Sequence, residues 1–376
     1  MALFANTTGD YNTAVGKGAL QANTTGSQST AVGYNALNDL TTGAGNVAVG
    51  YNALQTNTTG IRNTAVGHGA LNICTGGQNT ALGYGAGSGL GGGGTNTFIG
   101  HEAGYSVNVG ESNVAVGYNS MYLATEADFS VAIGREALGG AALTGDVNTA
   151  VGYMALNAVT SGWANSAFGR DAGKDITTGQ DNTCIGAYSG ENITTAVFNC
   201  ILGVSAGDVL TTGSRNVILG DRSDPANAGD NNSVVIGTQL TGKGDSTSFM
   251  SHQPYNSSNA STWSTTSDRR IKKNIIDNNT GLDVITGIQV RNFEYRKPEE
   301  VDPELPSTSA IDKEGVQLGV IAQEIQEVLP DVVKQESTGC YAVDPDNITW
   351  YLVNAVKELS AKNDALVARI TALESN

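Results

Sequence analysis

Asn12-Thr13-Ala14-Val15-Gly16 returns along the chain as Ser29-Thr30-Ala31-Val32-Gly33 and Asn46-Val47-Ala48-Val49-Gly50, and the spacing of its closing glycine decides the fold. That glycine recurs at Gly16, Gly33, Gly50, Gly67, Gly83, Gly100, Gly117, Gly134, Gly152, Gly169, Gly186, Gly203, Gly220 and Gly237, fourteen copies in all. The step is seventeen residues, apart from one of sixteen (Gly67 to Gly83) and one of eighteen (Gly134 to Gly152). A fixed short period of this kind builds a stack of equivalent turns.

Within a copy, the residue before the glycine is always large and apolar, as in Val15, Leu82, Ile133 and Phe168. The residue three before it is mostly β-branched, as in Thr13, Val47 and Thr64. Two residues apart in a strand, these share one face. The residue between them is usually Ala (Ala14, Ala31, Ala48, Ala65), facing the other way and small enough for another backbone to approach. Three after the glycine stands Ala or Ser (Ala19, Ala36, Ala53, Ser120), often followed by Leu (Leu20, Leu37, Leu54). A turn such as Asn23-Thr24-Thr25-Gly26 or Asn57-Thr58-Thr59-Gly60 follows, where Gly is expected to supply positive φ. One such unit cannot bury a core alone. Stacked at roughly 4.8 Å per rung, fourteen units make a rod on the order of 65–70 Å long. Collagen is excluded because glycine does not recur every third residue. Disorder is excluded by the strict apolar position.

The two ends of the 376-residue chain differ in composition. Of 49 glycines, only Gly281, Gly287, Gly315, Gly319 and Gly339 follow position 250, whereas Pro225 is the sole proline before it. A Ser/Thr/Asn-rich stretch, Thr247 to Thr266, marks the boundary. The expected organisation is a shaft over 1–240, a linker over 241–266 and a second domain over 267–376. The net charge of −16 argues against nucleic acid, which needs clustered Lys and Arg. Cys74, Cys184, Cys200 and Cys340 show neither metal spacing nor a paired framework, and Cys184 and Cys200 read as small core fillers inside strands. His68, His101 and His252 form no ligand cluster, so no metal and no cofactor is expected. The opening residues lack the basic and apolar regions of a signal peptide, and no run approaches the ~20 apolar residues of a membrane span. The chain starts in mid-repeat, as expected either of a piece cut from a longer chain or of an end that docks on another segment.

Phrases such as Ser130-Val131-Ala132-Ile133-Gly134 and Asn148-Thr149-Ala150-Val151-Gly152 resemble the head repeats of trimeric autotransporter adhesins and the shaft repeats of bacteriophage tail fibres. The resemblance implies a trimeric β-roll or β-helix over residues 12 to about 240, with the Ala face as a threefold contact.

After the linker, Ser267-Asp268-Arg269-Arg270-Ile271-Lys272-Lys273 is followed by the strand-like Val290 to Tyr295 and a Pro-rich acidic loop, Pro298 to Pro306. Next come Gly319-Val320-Ile321-Ala322-Gln323-Glu324, read as a strand entering a short helix, and Leu329-Pro330-Asp331-Val332-Val333, where Pro330 ends that helix. These motifs, with Ala355 to Leu359 in a terminal helix, resemble the self-cleaving intramolecular chaperone at the carboxy end of phage endosialidases, tail fibres and neck appendages. The resemblance implies a small α+β domain that cuts the chain before its own serine with a Ser–Lys dyad. Carried over, Ser267 is the nucleophile, Lys272 the base and Thr266–Ser267 the scissile bond, with Asp268 and Arg270 as possible support. A serine hydroxyl needs a base to take its proton, and a lysine serves only as the neutral amine, which neighbouring cations such as Arg269, Arg270 and Lys273 favour. Two alternatives stay open: Lys273 as base, and a solvated basic face with Ser267-Asp268 as a cap.

Leu352, Val356, Leu359, Asn363, Leu366, Ile370 and Leu373 are spaced four and three alternately, a heptad seam within a helix of about 349–374. Asn363 is a polar position of the kind that fixes register. The seam is expected to join three parallel chains.

The expected function is therefore a structural, receptor-binding phage fibre or appendage on the virion. Its homotrimeric shaft is folded by a carboxy-terminal chaperone that then removes itself, with no activity on other substrates. Expected partners are other tail subunits and a host-surface glycan or protein. The alternatives are a bacterial trimeric adhesin head and an uncleaved fibre with a permanent trimerisation cap. A glycan-degrading enzyme would need paired carboxylates, which the scattered acids of the repeats do not supply. Tyr34, Asn35, Tyr51, Asn52, Tyr118 and Asn119 suit either sugar contact or a ladder of stacked surface residues.

Overall fold

The computed structural model describes residues 1–250, 269–305, 309–311, 313–336 and 339–375. The chain divides into two compact units, Met1–His252 and Gln253–Asn376.

The first unit is a β-solenoid. Each repeat gives one three-residue strand, from β1 (Thr13–Val15) and β2 (Thr30–Val32) through β14 (Val234–Ile236). All are parallel, each paired with the next, so Thr13, Thr30 and Val47 stand one above another. The sheet continues to β15 (Ser248–Met250), a rung without the glycine and within the stretch read from sequence as linker. The polar groups of each turn pair with the turns on either side, as in Thr30 N donating to the Asn46 carbonyl at 2.8 Å and Gly33 N to the Val15 carbonyl at 2.8 Å. This row of backbone pairs holds the short strands, which would be too short to persist singly.

The strand faces are the reverse of what a threefold Ala contact requires. The middle residue of each strand points into its own turn: Ala31, Ala48, Ala115 and Ala132 are fully buried beside Leu20, Leu37, Leu54 and Leu138. The Ala face is thus core, and the large residues look outward. Val15, Leu82, Ile99, Ile133, Phe168 and Leu202 retain 36–59 % of their exposure. The interior of one turn is narrow, and Leu from the opposing segment fills the space that Ala leaves. Cys184, in the Ala position, is buried, whereas Cys200, in the Thr position, is exposed and not the core filler expected.

Core volumes compensate between positions. Where the strand carries Phe98, Cys184 or Ile201 in place of Ala, the opposing Leu is replaced by Gly87, Gly104, Gly173, Gly190 or Gly207. A Cβ on Gly104 would collide with the Phe98 ring, and one on Gly190 would lie 2.9 Å from the Cys184 Sγ. This is close packing maintained by paired size changes.

The repeat glycines are required twice over. Gly33 has φ +138°, and a Cβ there would strike the Gly50 carbonyl of the next rung. The turn glycines work differently from expectation: Gly26 and Gly60 are absent from the positive-φ residues, and their role is close approach to the carbonyls of Gly43 and Gly76. Positive φ falls instead on side-chain-bearing residues such as Leu20 (48°) and Asn35 (53°).

A buried polar ladder lines the solenoid four residues before the glycine. Asn96 Oδ1 accepts from the Asn113 backbone N at 2.9 Å, and Asn96 Nδ2 donates to the Gly110 carbonyl at 2.8 Å. Ser29 and Ser130 take this place in their turns, each accepting from the following Asn backbone N.

The second unit contains the helices α1 (Leu282–Gly287), α2 (Ala322–Val328) and α3 (Pro345–Glu374). It also has two antiparallel pairs, β16 (Arg291–Phe293) with β17 (Gln317–Gly319) and β18 (Val333–Gln335) with β19 (Tyr341–Val343). Its small core is Ile325, Leu329 and Val332, with Val284, Ile288, Val343, Ile348 and Tyr351 around it. The strand into helix ended by Pro330 is borne out: Pro330 opens a 3-10 turn directly after α2.

Candidate self-processing and assembly site

Thr266, Ser267 and Asp268 lie outside the described residues. The description resumes at a 3-10 turn, Arg269–Ile271, closed by Lys272 N donating to the Arg269 carbonyl at 3.2 Å. Arg270 and Lys272 therefore sit on a tight turn at the head of the second unit, and every residue from Arg269 to Thr280 is exposed. Gly281 is the first buried residue after this exposed segment.

That junction is specific. Asn354 Nδ2, on α3, donates to the carbonyls of Asn278 at 2.6 Å and Thr280 at 3.2 Å. The Leu282 backbone N donates to Glu358 Oε2 at 3.1 Å. Gly281 passes so close to α3 that a Cβ would press on the Ala355 backbone N. The Glu358 carboxyl is held below its usual range, first by Lys362, 2.8 Å away, and then by the Leu282 N–H. Sequence reading missed Asn354 and Glu358, because the contact joins residues 76 apart and neither belongs to a periodic pattern.

The expected seam residues lie on α3 as anticipated. Leu352, Val356, Leu359, Leu366, Ile370 and Leu373 are each about half exposed or more, and Asn363 is exposed among them. The helix thus presents an apolar row that its own unit leaves uncovered.

Residues 267–334 match the family model named Peptidase S74 and described as the chaperone of endosialidase. This match and the solenoid before it fit an endosialidase-type carboxy-terminal chaperone. The match begins on Ser267 and covers α1, β16, β17 and α2, with α3 beyond it. A chaperone of this family supports a carboxy-terminal region for trimerisation and self-processing, and it implies a homotrimer.

The shaft carries two surface rows. One is the outward apolar row of the strands, where no charged residue occurs immediately before the repeat glycine in any of the fourteen copies. The other follows the glycine: Tyr34, Tyr51, His68, Tyr84, His101 and Tyr118 stack with centroids 4.9–5.3 Å apart. Lys17 lies over Tyr34 at one end and Arg135 over Tyr118 at the other. Ring faces are occupied by neighbouring rungs, so edges and hydroxyls face solvent, in line with the stacked-ladder reading.

Among the described residues no group of three His, Cys, Asp or Glu could hold a metal ion, and no helix is long and apolar enough to cross a membrane.

Proposed function

We propose that this chain is a fibre or appendage segment of a phage virion. Its chaperone assembles three copies and then separates from the shaft by cutting Thr266–Ser267. The observation that carries this reading is the family match beginning on Ser267, with Lys272 on the turn that follows.

The reaction needs no external substrate. Ser267 Oγ attacks the Thr266 carbonyl carbon while Lys272 Nζ takes the hydroxyl proton. The tetrahedral species collapses with cleavage of the C–N bond, and Lys272 returns the proton to the departing Ser267 nitrogen. The Thr266 acyl group is then an ester on Ser267 Oγ, and water hydrolyses it. The products are a shaft ending in the Thr266 carboxylate and a chaperone starting at the Ser267 amine. Asp268 and Arg270 are the residues we propose as support for the dyad.

Assembly supplies the purpose. Pairing α3 helices through the seam would align three chains before the slow, non-local solenoid forms. The outward apolar row of the strands is the shaft face that three copies would bury. Release of the chaperone then leaves the folded shaft without a route back through its assembly template. The free shaft would serve in host attachment, with a cell-surface glycan or protein as receptor and other tail subunits at its amino end.

Lys272→Arg keeps the positive charge but provides no usable base, so cleavage should be lost, whereas Lys273→Arg should cleave as wild type. Retained cleavage in Lys272→Arg with loss in Lys273→Arg would transfer the base to Lys273.

A further inference from the structure

We propose that Val353 and Val367 set the number of chains at three, by widening the heptad seam of α3 along one flank. This rests on the homotrimer reading above and not on the cleavage.

The seam residues by themselves suit a different number. In a heptad lettered a to g, their alternating spacing puts Leu352, Leu359, Leu366 and Leu373 at d, and Val356, Asn363 and Ile370 at a. Leu at d with β-branched residues at a favours two parallel strands, and Ile at both positions is what shifts the preference to three or more. A lone polar residue at a, as Asn363 is, fixes register at a cost in stability. A third chain therefore needs a contact outside these two columns.

The column beside a supplies it. Val353 and Val367 stand at e, two heptads apart, and keep 40 % and 54 % of their exposure. In two-stranded coils the e column lies at the rim and commonly carries charge. An apolar stripe over a, d and e is wider than one over a and d alone. A helix in a two-stranded coil faces one neighbour, across a and d. In a three-stranded coil it faces two, on different sides, and the contact spreads over the flanking columns. Val at e is then removed from water, which favours the third chain.

The opposite flank matches. Lys362 and Arg369 stand at g, which in a parallel coil lies against the following e residue of the next helix. Lys362 thus meets the partner's Val367, and Arg369 meets the partner's Glu374. The Lys362 ammonium is engaged by Glu358 of its own helix at 2.8 Å, so its alkyl stem is the part that covers Val367. From Leu359 onward every residue of α3 is exposed, and a helix of about four turns without tertiary cover is marginal in water. Neighbouring copies of α3 supply that cover.

Replacing Val353 and Val367 together by Gln makes the e column polar with a better helix former, so the helix itself is not weakened. Leu359→Gln, inside the seam, is the control for general loss of apolar contact. Each full chain also carries Ser267→Ala, so that shaft and chaperone stay joined whether or not the protein cuts itself. The chains are made by cell-free synthesis, and the copies per assembly are counted by light scattering at equal protomer concentration. The parent should be a trimer, the double Gln chain should lose the trimer and yield two-chain assemblies, and Leu359→Gln should yield single chains. A double Gln chain that stays a trimer, or that falls to single chains, overturns the inference, as does Leu359→Gln yielding the same pairs. A parent that is not a trimer overturns the homotrimer reading and this inference with it.

Discussion

Residue 104 should stabilise or destabilise the shaft according to what occupies residue 98. Phe98 is fully buried, and the opposing segment makes room for it with Gly87 and Gly104. Phe98→Ala removes the whole ring and costs about 3–5 kcal/mol. The upper part of that range is expected, because the wall opposite is side-chain-free and its backbone is pinned by Gly87 N to the Ala103 carbonyl at 2.9 Å and Gly104 N to the Ser120 carbonyl at 2.8 Å. Other turns show the repair: Ala48 lies in turns where Leu37 and Leu54 fill the opposing position at φ 49° and 51°. Gly104 has φ +63°, close to those values. In Phe98→Ala, adding Gly104→Leu buries a side chain worth about 1.5–3 kcal/mol. It costs about 1–2 kcal/mol for the left-handed backbone. The net recovery is about 1 kcal/mol. With Phe98 present, the same Leu meets the ring and destabilises by about 2 kcal/mol or more. Guanidinium unfolding followed by circular dichroism, at fixed protomer concentration, gives the four corners of the cycle. Equal destabilisation by Gly104→Leu in both backgrounds would refute the paired-volume account of the core.

Two further outcomes follow from the same structure. Burial pushes the Cys74 thiol up to about 11 and the Cys184 thiol up to about 12, so both should resist a thiol reagent at pH 8 until the shaft unfolds. Cys200, on the outward strand face, should react in unassembled chains and be protected in trimers; fast labelling of Cys200 in trimers would remove that face from the contact. Because the Glu358 carboxyl is lowered from 4.5, its contribution to stability is present above that pH and is lost as pH falls below it. The stability gap between wild type and Glu358→Gln, measured by thermal melting, should therefore close below about pH 4.5, and a gap unchanged down to pH 3 would contradict the pairing with Lys362 and Leu282.

The solenoid was legible because one glycine position repeats with so little slippage, and the chaperone because several motifs follow Ser267 in order. The heptad row on α3 was legible from spacing alone. Which strand face is core was not: period two says that Val15 and Ala14 face opposite ways, but not which side the chain closes over. The small Ala suggested a contact between chains, while the narrow turn admits Ala as core and takes its bulk from Leu20 or Leu37. The Asn ladder carried a signal in the residue four before each glycine, which is Asn in every copy but those of Ser29, Ser130 and Ser233. Left-handed Leu20 and Leu37 carried none, because stacking imposes a backbone that local sterics disfavour for Leu. Asn354 and Glu358 were invisible because the Asn278–Leu282 segment they hold is 76 residues away in sequence.

The intact mass of the purified protein beside Ser267→Ala tests the central claim most directly. Two wild-type fragments, separating between Thr266 and Ser267, with an uncut Ser267→Ala chain, is the expected result. Wild-type and variant chains that both remain whole while forming stable trimers would make the carboxy-terminal region a permanent cap and remove Ser267 and Lys272 from catalysis.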